Sequence, residues 1–407
     1  MKKFIVAQTG ARHNYVIPYL LAKAGLLEYF YTDICGNVGL GKLLAKGKHL
    51  PFVGEPLTRL SGRKVPDELI RYTHTFALPF LRSQFRTAIS EKTESERFRI
   101  NCMRTIETGN EMVKHGFGNA THIYSMLGEF APLLIAADER GLSIVSDVYI
   151  MLSTNKILDE ERKNFPDWEP EPPDYQAIAN KLFPEDALLT RTKIFICPSE
   201  AVKQDLIDNY GIEVEKTVVV PYGLKTNWLG LVPNTIPRRI LFVGSANLRK
   251  GIHYLAMAAE QLHQAGYNYE FRVAGDVASD IVTKSPCKCL TFLGRIPRSK
   301  IQEEFIQADI FVLPSLAEGS AGVTYEALAA GLPVVTTKAS GSVVQNEIQG
   351  YIIPERDPSA LAKAIADIVE DRDKRDRMGV AARERAKEYT WDKYQVNLLG
   401  AIEQQAW

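Results

Sequence analysis

The stretch DIFVLPSLAEGSAGVTYEALAAGLPVV, Asp309–Val335, contains one complete strand–loop–helix–strand unit. Ile310–Leu313 reads as a buried strand that ends at Pro314-Ser315. The small-residue loop Ser320-Ala321-Gly322 leads into a helix near Val323–Ala330, and a second strand is expected at Pro333–Thr336. Short apolar strands separated by helices are the signature of an α/β fold with a largely parallel sheet. The same alternation extends outward on both sides. Upstream lie strands at Arg239–Val243, Phe271–Ala274 and Leu290–Leu293. A helix at Ile252–Leu262 is marked by Ile252, Leu255, Ala256, Ala259 and Leu262. Downstream, Leu361, Ala364, Ile365, Ile368 and Val369 mark another helix. A last one begins near Thr390, with Trp391, Tyr394, Leu398 and Ile402 on one face.

The first half repeats the plan. Strands are expected at Phe4–Ala7, Tyr29–Thr32, Ile123–Met126, Ser143–Val148, Ile194–Cys197 and Thr217–Val220, with helices at Phe130–Ala137 and Glu200–Tyr210. Between the halves, PYGLKTNWLGLVPNTIPRR has three prolines, two glycines and no amphipathic period, and reads as an interdomain linker. A length of 407 residues suits two or three compact units.

Composition narrows the function classes. Lys plus Arg and Asp plus Glu each number 49, so the chain lacks the basic excess of a protein built to coat nucleic acid. Hydrophobic residues at 45% and charged residues at 24% exclude wholesale disorder. No apolar run approaches bilayer-spanning length, and the apolar stretch of the N-terminus, Phe4–Ala7, is too short for a signal-peptide core. Five scattered cysteines, Cys35, Cys102, Cys197, Cys287 and Cys289, suit a reducing cytoplasm.

Gly36–Thr105 breaks the alternation and reads as a helical insertion. Within Gly36–Ser90, nine basic residues (Lys42, Lys46, Lys48, Arg59, Arg63, Lys64, Arg71, Arg82, Arg86) face three acidic ones (Glu55, Asp67, Glu68). Phe76, Leu78, Phe80, Leu81 and Phe85 accompany them. Two readings stay open: a solvated basic face, or a surface for an anionic membrane or acidic acceptor.

Parallel sheets bind ligands beyond the carboxyl ends of their strands, where helices begin with unpaired N–H groups. Two such junctions stand out. In RRILFVGSANLRKGIHYLA, Arg249 and Lys250 precede Gly251 and a helix start, where cations oppose the helix dipole unless an anion is bound. Alone, they read as exposed loop residues. The second junction tips the balance. Glu318 and Glu326 stand eight residues apart around Ser320-Ala321-Gly322, where small residues admit a diphosphate to the backbone and carboxylates accept bonds from vicinal hydroxyls.

Glu318 and Glu326 form a Glu-x7-Glu motif, and with it the sequence resembles glycosyltransferase family 4 (glycosyl transferases group 1). The Lys250-Gly251 pair, VAGD at Val273–Asp276, FLGRI at Phe292–Ile296 and PYG at Pro221–Gly223 fall in the family's order. The resemblance is strong over Arg239–Glu388 and thinner upstream. It implies a GT-B fold: two Rossmann-like, doubly wound domains facing a cleft. The N-terminal, acceptor-side domain would span residues 1–225, with the basic insertion at 36–105. The nucleotide-sugar-binding domain would span 237–388, and a C-terminal helix at 389–407 would cross back to the first domain.

The implied activity is a retaining, metal-independent, hexosyltransferase-type transfer from a nucleoside-diphosphate sugar to a hydroxyl, in cell-surface polysaccharide or glycoconjugate synthesis. The resemblance implies that Lys250 contacts the donor diphosphate with Arg249 beside it, and that Glu326 holds the ribose. Glu318 would contact the donor sugar, the Ser320, Ala321, Gly322 and Val323 backbone would cradle phosphate, and Gly294-Arg295 would lie near the base. No cofactor beyond the nucleotide sugar is expected, and no metal. Asp371–Asp373, within EDRDKRDR, reads as a solvated helix face rather than a metal motif. The acceptor would be a glycan, lipid-linked sugar or small molecule, and the protein cytoplasmic, with contact to the inner membrane face through 36–105.

The sequence departs from the family at Ser245 (usually Arg), at Ser320 (commonly Phe) and in YSMLGE, Tyr124–Glu129, where many members offer a His. His122 sits at the wrong end of that strand. Asp147 and Glu129 are the acidic candidates in the first domain, and Gly10, Arg12 and His13 form the expected acceptor loop. LDEERKNFPDWE, Leu158–Glu169, looks like a subset of the family acting on cell-surface or secreted glycans. The same plan admits a nucleotide-sugar 2-epimerase or a non-catalytic nucleotide-sugar-binding relative. A dehydrogenase is disfavoured, since no Gly-x-Gly-x-x-Gly follows either first strand.

Overall fold

The chain forms two parallel sheets in a computed structural model that describes residues 2–46, 58, 60–182 and 186–404. The first sheet comprises β1 (Phe4–Gln8), β2 (Leu27–Thr32), β3 (Thr73–Thr75), β4 (His122–Met126), β5 (Ser143–Asp147), β6 (Thr192–Cys197) and β7 (Thr217–Val219). Its order is β3-β2-β1-β4-β5-β6-β7. The second comprises β8 (Arg239–Val243), β9 (Glu270–Ala274), β10 (Leu290–Gly294), β11 (Ile310–Leu313), β12 (Val334–Thr337) and β13 (Gly350–Ile353), in the order β10-β9-β8-β11-β12-β13. In both, the strand order reverses beside the first strand, which opens a crevice at the carboxyl ends.

By compactness, Met1–Asp147 and Pro172–Ile196 form one unit, and Val148–Glu171 and Cys197–Ala406 the other. The change of sheet falls between β7 and β8, whereas Val148–Glu171 packs with the second unit.

The second unit follows directly from its residue pattern. Ile310, Phe311, Val312 and Leu313 are all fully buried, as expected for a parallel strand covered on both faces. The helix Ile252–Gln264 buries Ile252, Leu255, Ala256, Ala259 and Leu262 on one stripe. Asp309 anchors the base of β11. Its fully buried carboxylate accepts from Arg372 at 2.6 and 2.9 Å and from the Arg238 N–H at 2.8 Å, and lies 3.0 Å from the buried Arg375 guanidinium. EDRDKRDR therefore differs from a simple solvated face. Asp371 caps its helix through the Lys374 N–H at 2.9 Å and Asp373 is exposed, but Arg372 and Arg375 turn inward to Asp309.

Two other expectations need correction. The basic insertion is not wholly helical, because β3 pairs in parallel with β2 inside it, Thr73 opposite Phe30. Lys48, Glu55 and Arg59 lie outside the described residues, as do residues 405–407. The proline-rich linker contains a 3-10 turn, Thr226–Gly230, whose Trp228 is buried edge-on against Phe305 at 5.1 Å. Pro233 and Pro237 keep it irregular, but it is packed. All five cysteines are free thiols, consistent with their scatter.

Candidate nucleotide-sugar site

In the second unit, the segments that follow β8 and β11 bring Arg249, Lys250 and Glu318 together. β8 ends at Val243. Gly244 follows with φ +148° beside the Lys250 side chain, where a Cβ would lie 3.4 Å from Cε. Asn247 Oδ1 then accepts the Lys250 N–H at 3.0 Å and closes the 3-10 turn Leu248–Lys250. Gly251 turns into the helix with φ +72°, and a Cβ there would sit 2.0 Å from the Pro314 carbonyl, so glycine is required. The Arg249 carbonyl accepts from the Leu316 N–H at 2.8 Å and ties this turn to the loop after β11.

Across that tie the charges meet. Lys250 Nζ and an Arg249 Nη each lie 2.6 Å from the same oxygen, Glu318 Oε1. The Arg249 guanidinium also donates to the Ala317 carbonyl at 3.0 Å. Lys250 and Glu318 side chains are only 12% and 11% exposed. Burial pulls the Lys250 pKa down, Glu318 pulls it back up, and neighbouring Arg249 lowers it again. Two cations thus converge on one anionic oxygen where anions bind in such folds.

Glu326 lies on the helix Gly322–Ala329, which starts without a side-chain cap. Burial raises its carboxyl to about 7, against the pull of Arg298 and Lys225. Among the described residues, no side chain or N–H hydrogen-bonds to it. Of the Ser320–Val323 backbone expected to face phosphate, one N–H is already engaged within the protein. The Ala321 N–H already donates to the Ser340 carbonyl at 3.0 Å, and Ser320 Oγ bonds the Tyr325 hydroxyl at 2.7 Å and the Gly341 carbonyl at 2.9 Å. Ser320 thus anchors its loop from below. Gly294 has φ +67°, while Arg295 is 82% exposed and 3.1 Å from Asp276. No group of three or more His, Cys, Asp or Glu suited to a metal occurs among the described residues.

These residues carry a family assignment. Residues 231–385 match the model of the glycosyl transferases group 1 family. The matched region, residues 231–385, lies within the second unit and belongs to that family. The matched region contains Lys250, Glu318 and Glu326. The chain is 28% identical over 228 residues to the amylovoran biosynthesis glycosyltransferase AmsK of Erwinia amylovora, covering 52% of this chain and 51% of that one. It spans about half the length of the curated relatives it matches first. Among solved structures, it is similar to sucrose-phosphate synthase of Thermosynechococcus elongatus (TM-score 0.66, 17% identity, 99% of both chains). It is also similar to Anabaena HepE, solved in complex with UDP (TM-score 0.61, 15% identity, 100% of both chains). The fold is GT-B, as expected from the sequence.

The first unit gathers its own candidates at the ends of β1, β4 and β5. The Gly10 N–H, at φ +64°, donates to Asp33 Oδ1 at 3.0 Å, and the Thr9 N–H to Glu129 at 3.1 Å. His13, Asn14 and Tyr15 follow, all left-handed. Burial, then the Arg12 charge, lowers the His13 pKa to about 4, so its imidazole is neutral. Burial raises Asp147 to about 6 against the Tyr124 hydroxyl, 2.8 Å away, and Arg12, with Glu129 pushing the same way as burial. Burial raises Glu129 too. Asp33, which fixes the Gly10 turn, was not legible in the sequence. His122, at the opposite end of β4, stacks on Phe4 at 4.8 Å.

Proposed function

We propose that this chain is a retaining, metal-independent glycosyltransferase that moves a hexosyl group from a nucleoside-diphosphate sugar to a hydroxyl in polysaccharide or glycoconjugate synthesis. The observation that carries the reading is the convergence of Lys250 and Arg249 on Glu318, in the loop that leads into the helix bearing Glu326. The AmsK relative is named for amylovoran biosynthesis, and HepE binds UDP. The first favours a polysaccharide product and the second a uridine-nucleotide-linked donor.

A donor diphosphate would take over the cations that Glu318 neutralises, freeing that carboxylate for sugar hydroxyls. The Gly322 and Val323 amides would donate to phosphate oxygens, and Glu326 would accept from the ribose. As the anomeric carbon–oxygen bond breaks, Lys250 stabilises the charge on the departing diphosphate. The acceptor oxygen attacks from the same face, and its proton passes to a diphosphate oxygen. Catalysis is then positioning plus electrostatics, without a covalent sugar–protein intermediate. In the first unit, the loop of Gly10, Arg12 and His13 together with Asp147 would receive the acceptor.

No described helix is long and apolar enough to cross a membrane. The helix Ala77–Ile89 points Leu78, Phe85 and Ile89, each 60–69% exposed, outward with Arg82 among them. That stripe suits a peripheral contact with an anionic cytoplasmic leaflet. Sedimentation with phosphatidylglycerol vesicles, but not with neutral ones, checks it.

The activity is tested by incubating the protein with radiolabelled nucleotide sugars and membrane or glycan acceptors, with and without EDTA. Transfer of label with the α or β configuration of the donor kept, unaffected by EDTA, is expected. A new sugar nucleotide formed without acceptor would instead indicate an epimerase. Nucleotide binding without transfer to any acceptor would indicate a non-catalytic relative.

A further inference from the structure

We propose that Glu169 is a positioning residue for Lys250, acting through the backbone of the turn that carries it. The proposal rests on the donor-binding role assigned to Lys250 above. Among the described residues, Asn247, Leu316 and Glu169 each hold the backbone of the turn Leu248–Lys250. Two of these holds come from the loops that follow β8 and β11: Asn247 Oδ1 on the Lys250 N–H, and the Leu316 N–H on the Arg249 carbonyl. The third comes from Val148–Glu171, outside the family-matched region. Glu169 Oε1 accepts the Leu248 N–H at 2.7 Å, and Arg162 lies 3.5 Å from the other Glu169 oxygen.

The same segment holds the start of the following helix. Glu161, fully buried on the helix Thr154–Asn164, accepts from His253 Nε2 at 2.8 Å, from the Tyr254 hydroxyl, and from Arg356 Nε at 2.7 Å. Burial pushes the Glu161 carboxyl up, but these three donors outweigh it and hold it down at about 2. His253 is lowered by burial despite Glu161, so a neutral imidazole donates from Nε2 to the anion. Phe165 and Trp168 close over the His253 ring at 4.5 and 5.6 Å.

Glu161 therefore fixes the segment, and Glu169 is its contact with the cation-bearing turn. Lys250 extends over Gly244 toward a single oxygen, so rotation of the Leu248 peptide would swing its ammonium away from the phosphate position. A misplacement near 1 Å costs up to about 100-fold in catalysis.

A double-mutant cycle read by calorimetry tests this without an acceptor. Uridine, guanosine and adenosine diphosphate are titrated into the full chain, and the tightest is carried through Glu169→Ala, Lys250→Ala and the double variant. Glu169→Ala is expected to weaken binding about tenfold in the parent and less than twofold in the Lys250→Ala background. Glu169→Gln, which keeps the acceptor oxygen, should stay within threefold of the parent. Glu169→Asp, which keeps the charge but shortens the reach, should fall between and serves if the alanine variant does not fold. Equal losses in both backgrounds, or none in either, would overturn the positioning role while leaving the donor site standing. Parent-like binding by Lys250→Ala, or no binding by the parent, would overturn both.

Discussion

Replacing Glu326 by glutamine separates what this side chain costs the empty fold from what it gives to nucleotide binding. Burial raises its carboxyl from 4.5 to about 7. A group whose pKa is raised on folding contributes its full stability below the unfolded value and loses it as pH rises through the folded one. At about 1.4 kcal/mol per pH unit, that gap amounts to about 3 kcal/mol by pH 8. Glutamine has nearly the same shape and never ionises. Glu326→Gln should therefore melt close to the parent at pH 4.5 and higher at pH 8. For a unit of this size, the gain is roughly 6–12 °C, read by differential scanning calorimetry at both pH values. The same variant should bind a nucleoside diphosphate about tenfold more weakly at pH 8, because a charged acceptor of ribose hydroxyls is lost. A melting difference that does not change between pH 4.5 and 8 would refute the reasoning.

Other perturbations address separate parts of the account. Asp309→Ala strips the partner from the buried Arg375 and from Arg372, and should destabilise the second unit by about 3–5 kcal/mol in urea unfolding. Gly251→Ala forces a left-handed alanine against the Pro314 carbonyl, and should cost at least about 1–2 kcal/mol while weakening nucleotide binding in calorimetry. If the Asp147 carboxylate, with its pKa near 6, serves the acceptor, the transfer rate should climb as pH rises through 6. Asp147→Asn should flatten that limb of the pH–rate profile.

What could be read from the sequence follows from how local each signal is. Ile310–Leu313 announces itself because a strand covered on both faces must be apolar throughout, and Glu318 and Glu326 because a fixed spacing around small residues is a local pattern. β3 escapes for the opposite reason. It is three residues, Thr73–Thr75, at a sheet edge, with no apolar run to mark it. The exposed-loop reading of Arg249 and Lys250 fails because the sequence does not show that Glu318, 69 and 68 positions away, pairs with both. Arg356 reaches Glu161 across 195 positions, so nothing near LDEERKNFPDWE shows why its second glutamate is charged and buried. Asp33 is likewise an ordinary acid until the Gly10 turn folds onto it.

The central claim is that the Lys250 turn and Glu326 together grip a nucleoside diphosphate. A crystal structure of the chain with uridine or guanosine diphosphate tests it most directly. The account predicts diphosphate oxygens within hydrogen-bond distance of Lys250 Nζ and ribose hydroxyls on Glu326, with Glu318 no longer shared between the two cations. Nucleotide density elsewhere, with the Lys250–Glu318 pair intact, would contradict it.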